Sequence, residues 1–324
     1  MIITKTPFRV SLLGGGTDFS DFYKRYGGSV LTTSIDKYVY CIVKERFDKK
    51  IYINYSIKEI ADSVSQIRHD LVREALIKTG VKEGIEISFL SDIPSAGTGL
   101  GSSSSVTVGV LNALYLYTGR TIGAAQLAKE ACEIEIDKLK KPMGVQDQYI
   151  ASYGGLRLFE FTKSSVKTNK VNVSKEILQE LEDHLILFFT GKTRNSSLVL
   201  KTQSKKIPDK MPSLIKMSEL TRKGVIAIKK GDFKKLGKLI DESWQLKKGF
   251  AKNVSNIIID NMYQKALRAG AFGGKISGAG SGGFLTLIVK PSKRRAVIES
   301  LKEYKYLKVG LSQDGTKSIF NIRD

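Results

Sequence analysis

Two cysteines and two histidines in 324 residues leave nothing from which to build a disulfide framework or a Cys/His zinc cluster. Cys41 and Cys132 both lie inside apolar patterns and read as small core residues. Long hydrophobic runs are missing too: no apolar stretch approaches the roughly 18 residues that cross a bilayer, and Met1 to Val10 is not a charged leader followed by an apolar segment. A soluble cytoplasmic protein without a membrane partner is expected. Collagen-like, coiled-coil, low-complexity and internally repeated patterns are absent as well. Acidic residues are scarce, with 32 Asp+Glu against 53 Lys+Arg and a formal net charge of +21. Such a surplus attracts polyanions, whether nucleic acid, an acidic membrane surface or small phosphorylated substrates. Between Lys201 and Lys238 twelve Lys or Arg stand against Asp209, Glu219 and Asp232, but Leu214, Leu220, Ile226, Ile228 and Leu239 are interleaved. That pattern predicts solvated helix faces. Aromatic interleaving and helix-turn-helix, zinc-finger or RNP signatures are lacking, so specific nucleic-acid binding is not expected. A basic nucleic-acid-binding module stays as the non-enzyme alternative, one that would lose affinity steeply with salt and need no nucleotide.

What is present suits a folded chain: 41% hydrophobic and 26% charged residues can build substantial cores, and the length suits two domains. β-Branched and aromatic runs predict strands at Arg9 to Leu13, Ser29 to Val43, Ile51 to Tyr55 and Ile85 to Leu90, with one helix near His69 to Thr79. Helices are predicted over Val106 to Tyr117 and Ala124 to Leu139, then strands near Leu156 to Phe161 and Val166 to Val173. Beyond about residue 174 come a helix, a strand from His184 to Phe189, basic helices, the glycine-rich Gly270 to Gly283, a strand Phe284 to Val289, and a final helix and strand. The fold class expected is α+β in two layered domains, residues 1–174 and 175–324. The final strand could pair with either.

Three glycine clusters carry the chemistry. Pro94-Ser-Ala-Gly97-Thr-Gly99-Leu100-Gly101-Ser102-Ser103-Ser104-Ser105 runs straight into an apolar helix. Glycines let backbone approach a ligand, and a helix N-terminus presents unpaired amides with partial positive charge, so this segment suits phosphate. Serine hydroxyls there can bond phosphate oxygens or ligate Mg²⁺. A flexible loop with a serine cap is the plainer reading, but linkers rarely lead so abruptly into an apolar helix. No Walker A string exists, because Gly191-Lys192-Thr193 has Ile186 where the upstream glycine belongs. Gly278-Ala-Gly280-Ser281-Gly282-Gly283 matches G-x-G-x-x-G, yet a β-branched run follows where a dinucleotide site needs a helix. The third cluster, Arg9 to Leu13 followed by Gly14-Gly-Gly16-Thr17-Asp18, taken alone leaves Arg9 readable as a surface residue and Asp18 as the cap of a helix at Phe19 to Tyr23.

Between them lies an acidic helix on which Ala128, Ala131, Cys132 and Glu135 share one face at helical spacing, continued by Leu139. A carboxylate on an apolar face must be paired, metal-bound or protonated. Glu133 points elsewhere, with Lys129 and Asp137, and reads as solvated. Twelve residues after Glu135 comes Gly144-Val-Gln-Asp147-Gln148, followed by Gly154-Gly155; by itself Asp147 reads as a turn aspartate.

Taken in order, Pro7 to Asp18, Pro94 to Ser105 and Gly273 to Gly283 resemble the three motifs of the superfamily of galactokinase, homoserine kinase, mevalonate kinase and phosphomevalonate kinase. The resemblance implies an N-terminal domain like domain 2 of a small-subunit ribosomal protein, a C-terminal ferredoxin-like domain, and an active site between them using ATP and Mg²⁺. It implies a nucleotide cradle from Gly97, Gly99, Leu100, Gly101, Ser102, Ser103 and Ser104, with Ser103 and Glu135 on the metal. Asp147 would be the catalytic aspartate, with Arg9 as the cation that keeps it ionised and offsets charge on the phosphoryl group. Asp18 matches the sugar-hydroxyl-binding aspartate, and Gly16, Thr17, Gly154, Gly278, Gly280 and Ser281 would border the substrate. Gly14 to Asp18 and Gly144 to Gln148 look most like the heptose-phosphate and fucose kinase branch. Phosphorylation of the anomeric hydroxyl of a heptose 7-phosphate, toward a 1,7-bisphosphate for surface-polysaccharide precursors, is implied. Fucose or another unphosphorylated sugar is the alternative. Thr190-Gly191-Lys192-Thr193-Arg194 looks like that branch's substrate-side loop, so Lys192 and Arg194 are candidate phosphate contacts that equally read as exposed loop cations.

Overall fold

A computed structural model describes residues 1–94, 97–193, 199–200, 210–250 and 254–322. The first sheet runs β12-β1-β2-β5-β3-β4, with β6 on β2 and β7 on β6. Its strands are β1 (Ile2–Leu13), β2 (Gly28–Glu45), β3 (Ile51–Asn54), β4 (Lys58–Ala61), β5 (Ile85–Ser91), β6 (Leu156–Phe161), β7 (Val166–Lys170) and β12 (Lys317–Asn321). The length of β2 lets it serve two neighbours on one side: Gly28 to Thr33 pairs with β6 and Val39 to Glu45 with β5. The second sheet, in the order β11-β8-β10-β9, is antiparallel and contains β8 (Leu185–Phe189), β9 (Ala271–Ile276), β10 (Phe284–Val289) and β11 (Lys305–Leu307).

Five helices accompany the first sheet among the described residues: α1 (Ser20–Tyr26), α2 (Asp70–Thr79), α3 (Ser102–Tyr117), α4 (Ala124–Cys132) and α5 (Gln146–Tyr153). After β7 follow α6 (Lys175–His184), α7 (Met211–Lys229), α8 (Phe233–Lys248), α9 (Ile257–Arg268) and α10 (Arg294–Ser300). None of the described helices is long and apolar enough to cross a membrane. Cys41 is buried, but Cys132 is only half-buried because its turn of helix lies at the edge of the core.

Helix α3 is buried nearly all round, which explains a sequence almost without charge. It lies tight on β1 because residue 109 is glycine: a Cβ there would stand 2.7 Å from Thr6 Oγ1. Gly224 does the same for α7, where a Cβ would come within 2.4 Å of Leu13. Leu220, Ala227 and Ile228 of α7 thereby share one core with Leu13 and Leu31 of the first sheet. This packing holds the second half of the chain against β1. The final strand, open to either domain from the sequence, joins the first sheet. Strand β12 leaves the second sheet and pairs antiparallel with β1, and Ser312 N–H bonds the Ser34 carbonyl on the way. A free edge on β1 beside the long β2 gives these residues backbone partners that the second sheet does not.

Candidate active site

The site grows from an irregularity in β1. Its register with β2 shifts between Pro7 and Arg9, and the Arg9 N–H bonds the Leu100 carbonyl of the glycine loop at 3.0 Å. Arg9 is 4% exposed, which excludes the surface reading. Its Nε and Nη2 donate to the two carboxylate oxygens of Asp147 at 2.7 and 2.6 Å, and Nη1 donates to the Gly99 carbonyl at 2.6 Å. Paired forks of this kind are the strong form of a charge-assisted hydrogen bond. Asp147 sits in the first turn of α5 and not in a free turn.

The glycine loop is anchored through its carbonyls. Besides Leu100 and Gly99, the Thr98 carbonyl accepts the Phe284 N–H at 3.2 Å. Gly97, Gly99 and Gly101 all adopt positive φ, of 69, 79 and 81°. At Gly101 the left-handed turn starts α3, and a Cβ would press on Arg9 Cγ at 3.1 Å. Carbonyls turned outward and a helix opening inward make a cradle for anions. Gly97, Gly99, Gly101, Ser102 and Ser103 line a cavity beside it, together with Lys141, Arg9 and Asp147. Leu100 contributes its carbonyl, since its side chain is fully buried.

Glu135 is fully buried, as the apolar face of its helix requires. The ladder is not α-helical there: Glu133–Lys138 forms a widened π turn, with Leu139 N–H bonding the Ile134 carbonyl. Ser103 Oγ donates to Glu135 Oε1, while Ser104 Oγ and Gln148 Nε2 donate to Oε2 at 2.7 and 2.6 Å. Ser104 therefore stands behind the cradle. Burial raises the Glu135 carboxyl above the usual range, against the hydroxyl and amide donors and Lys141. Glu133 instead pairs with Lys78 at 2.7 Å, half-exposed. Among the described residues no group of three or more His, Cys, Asp or Glu could hold a metal ion alone. The hard-oxygen pair Ser103 and Glu135, with Gln148 Oε1 buried and unpartnered beside it, does fit Mg²⁺, which takes few protein ligands and completes its shell with water and phosphate.

A second cavity shares Arg9, Asp147, Met143, Gly278 and Ala279 with the first and adds Ser11, Gly15, Gly16, Asp18, Gln146, Lys247 and Lys275. Asp18 does not cap α1: it is 2% exposed and accepts the Gly16 N–H at 2.9 Å and the Gln146 N–H at 3.3 Å. Burial raises its carboxyl, and Asp147 adds to this while the amides oppose it. The chain passes so close at Gly144 that a Cβ would lie 2.0 Å from Asp18 Oδ2.

Several expected substrate contacts lie elsewhere. Thr17 is fully buried and donates to the Gly14 and Ser29 carbonyls, joining the glycine turn after β1 to the start of β2. Gly154 packs against Asp314, where a Cβ would come within 2.0 Å of backbone. Gly280 and Ser281 turn back onto Val254, whose carbonyl takes the Ser281 N–H at 2.8 Å, and Ser281 holds a positive φ of 68°. Neither cavity is lined by them. Arg194 lies outside the described residues, and Lys192 is exposed with its carbonyl on Gly283 N–H. Lys141, Lys247 and Lys275 escaped sequence reasoning. For Lys275 a signal existed: a lysine within a wholly apolar strand poses the same question as Glu135 on its helix.

Known proteins match this arrangement along the whole chain. The family models described as GHMP kinases N terminal domain and GHMP kinases C terminal match residues 62–155 and 225–307. The D-glycero-alpha-D-manno-heptose 7-phosphate kinase of Campylobacter jejuni is 33% identical over 98% of this chain and 98% of its own. A galactokinase of Pyrococcus furiosus is 27% identical, covering 94% and 93%. Among solved structures, a D-glycero-D-manno-heptose 1-phosphate kinase from Bacteroides thetaiotaomicron superposes with a TM-score of 0.82 at 28% identity, covering all of both chains.

Proposed function

The chain belongs to the GHMP kinase family, and we propose that this ATP-dependent sugar kinase phosphorylates the anomeric hydroxyl of a heptose 7-phosphate. One observation carries the chemical reading: the Arg9–Asp147 pair stands where two cavities meet, one under the glycine cradle and one beside Asp18. A triphosphate in the first and an alcohol in the second would meet at that pair. The sugar oxygen then bonds the γ-phosphorus, the bond to the ADP oxygen breaks, and the hydroxyl proton passes to Asp147 or is directed by it to solvent. Arg9 holds the Asp147 carboxylate in place through two hydrogen bonds and offsets charge on the moving group. Ser103 and Glu135 would hold Mg²⁺, which would supply positive charge against the phosphates. Lys141, which lines the first cavity with its Nζ 3.7 Å from Asp70 Oδ2, adds a cation there. The adenine would occupy the aromatic cavity that flanks the loop, between Tyr55, His69, Phe89, Pro94 and Val106.

The heptose 7-phosphate assignment is supported by the 33% identical relative of that name. Turnover measured as kcat/KM over heptose 7-phosphate, fucose, galactose and mevalonate tests it. A preference of at least about a hundredfold for heptose 7-phosphate is expected, since a site built to bond a polar group rejects analogues lacking it. Better turnover of fucose assigns the unphosphorylated-sugar branch, and ATP consumption with no sugar at all rejects the reading.

Gly144 gives a separate check on Asp18. Gly144→Ala forces the Asp18 carboxylate off its position, so KM for the sugar should rise about tenfold, the worth of one charge-assisted hydrogen bond. KM for ATP should stay within about twofold, because the cradle is untouched. Steady-state kinetics with each substrate varied in turn decide this, and equal rises in both would remove Asp18 from the sugar side.

A further inference from the structure

Stacking alone does not account for the cavity proposed for the base. Glu59, 5% exposed on β4, accepts the Tyr55 hydroxyl at 2.6 Å and the Arg68 and His69 N–H groups at 2.7 and 3.1 Å. One buried carboxylate thus occupies the Tyr55 hydroxyl and fixes the backbone that enters α2. His69 caps that helix: its Nδ1 accepts the Val72 N–H at 3.4 Å. The imidazole is edge-on to Tyr55, with 4.7 Å between ring centroids, and parallel to Phe89 at 6.0 Å. All three rings line the cavity.

The cap decides what the ring can offer. A nitrogen that accepts a backbone N–H carries no proton of its own, so the neutral ring holds its proton on Nε2. Burial above all draws the imidazole below the usual histidine range, with Lys141 assisting and Asp70 and Glu59 opposing, which favours that neutral form. Nε2 lies on the side of the ring away from the helix and bonds no group among the described residues. The neighbouring side-chain donors are already committed or peripheral. Tyr55 donates to Glu59, Ser91 Oγ donates to the Ile93 carbonyl at 2.6 Å, and Ser56 stands exposed at the rim. This leaves the Nε2–H of His69 as the fixed side-chain donor of the wall. Adenine can answer it with N1, N3 or N7, each an acceptor, whereas a C–H at the same place leaves the donor unpaired.

We infer that His69 donates from Nε2 to a ring nitrogen of the nucleotide base and is a specificity-determining residue, one that selects ATP by its base and not by its phosphates. The inference rests on the kinase reading and deepens it: the cradle takes the triphosphate, and the entry of α2 reads the base.

Calorimetric titration in Mg²⁺ with ATP, its 1-deaza, 3-deaza and 7-deaza analogues, and tripolyphosphate compares the wild type with His69→Asn. Asparagine keeps the cap on Val72 but is too short to carry a donor to the base, so thermal stability should not fall. The variant should bind ATP about tenfold more weakly, as loss of one hydrogen bond to a buried partner requires. Tripolyphosphate, which fills the cradle alone, should bind both proteins equally. One analogue, the one lacking the nitrogen that His69 meets, should bind the wild type about tenfold more weakly than ATP. In His69→Asn that gap should shrink to less than about twofold. A purely structural role would not couple one residue to one atom of the base. A wild type that treats all three analogues like ATP, a gap that survives the substitution, no loss of ATP affinity in the variant, or equal loss of ATP and tripolyphosphate overturns the contact and leaves sugar phosphorylation standing. The same coupling in an enzyme that phosphorylates no sugar would instead uphold the contact and reject the sugar-kinase reading.

Discussion

Asp147→Asn should lower kcat at least about a thousandfold while leaving KM for ATP within a few-fold, the range expected when a positioned acid–base group is removed. Among the described residues the carboxylate is the only anion bonded to Arg9, and it stands at the junction of the two cavities. An amide keeps its shape but can neither take the hydroxyl proton nor balance the guanidinium. The substitution also leaves a buried cation without its charge partner, a change that costs about 3 kcal/mol in comparable settings. Stability must therefore be measured alongside activity. Arg9→Met with Asp147→Asn closes a cycle in which the double variant should be no less stable than either single one, since both charges leave together. Retention of full turnover by Asp147→Asn would show that the pair is structural only.

Glu135→Gln should raise the Mg²⁺ concentration needed for half-maximal rate about a hundredfold, at the upper end for disturbed metal ligation. Glu133→Gln, two residues away, should change it less than twofold. The contrast comes from direction. Glu135 is buried against Ser103, Ser104 and Gln148, and Glu133 is half-exposed on Lys78. A neutral amide at 135 can still accept from Ser103 through its one oxygen, but it sets a donor where the second carboxylate oxygen accepted from Ser104 and Gln148 and offers no charge to a cation. Mg²⁺ titration of initial rates for both variants reads this directly, and matching effects would mean that the inward face of the helix has no part in metal use.

The strands, the helices around residues 70–79 and 102–117, and the glycine cradle follow from local pattern, because β-branched runs and helix openings are local properties. Glu135 was legible for the same reason, although periodicity alone could not reveal the π turn that carries it. Arg9 and Asp18 were ambiguous locally, since a cation on a strand and an acid before a helix each have ordinary uses. Their partners lie 138 and 128 residues away, and only the fold brings them together. Thr17, Gly154, Gly280 and Ser281 show the converse: the motifs need them to shape backbone and close packing, which looks the same in sequence as touching a ligand. The pairing of β12 with β1 has no local signal at all.

On the proposed reading, one cradle and two acids form a single phosphoryl-transfer site. A crystal structure with Mg²⁺ and a non-hydrolysable ATP analogue tests it most directly. The β- and γ-phosphates are expected over Gly99 to Ser103, the cation between Ser103 and Glu135, and the γ-phosphorus facing Asp147. A triphosphate bound away from the opening of α3, or with its γ-phosphate turned from Asp147, would contradict it.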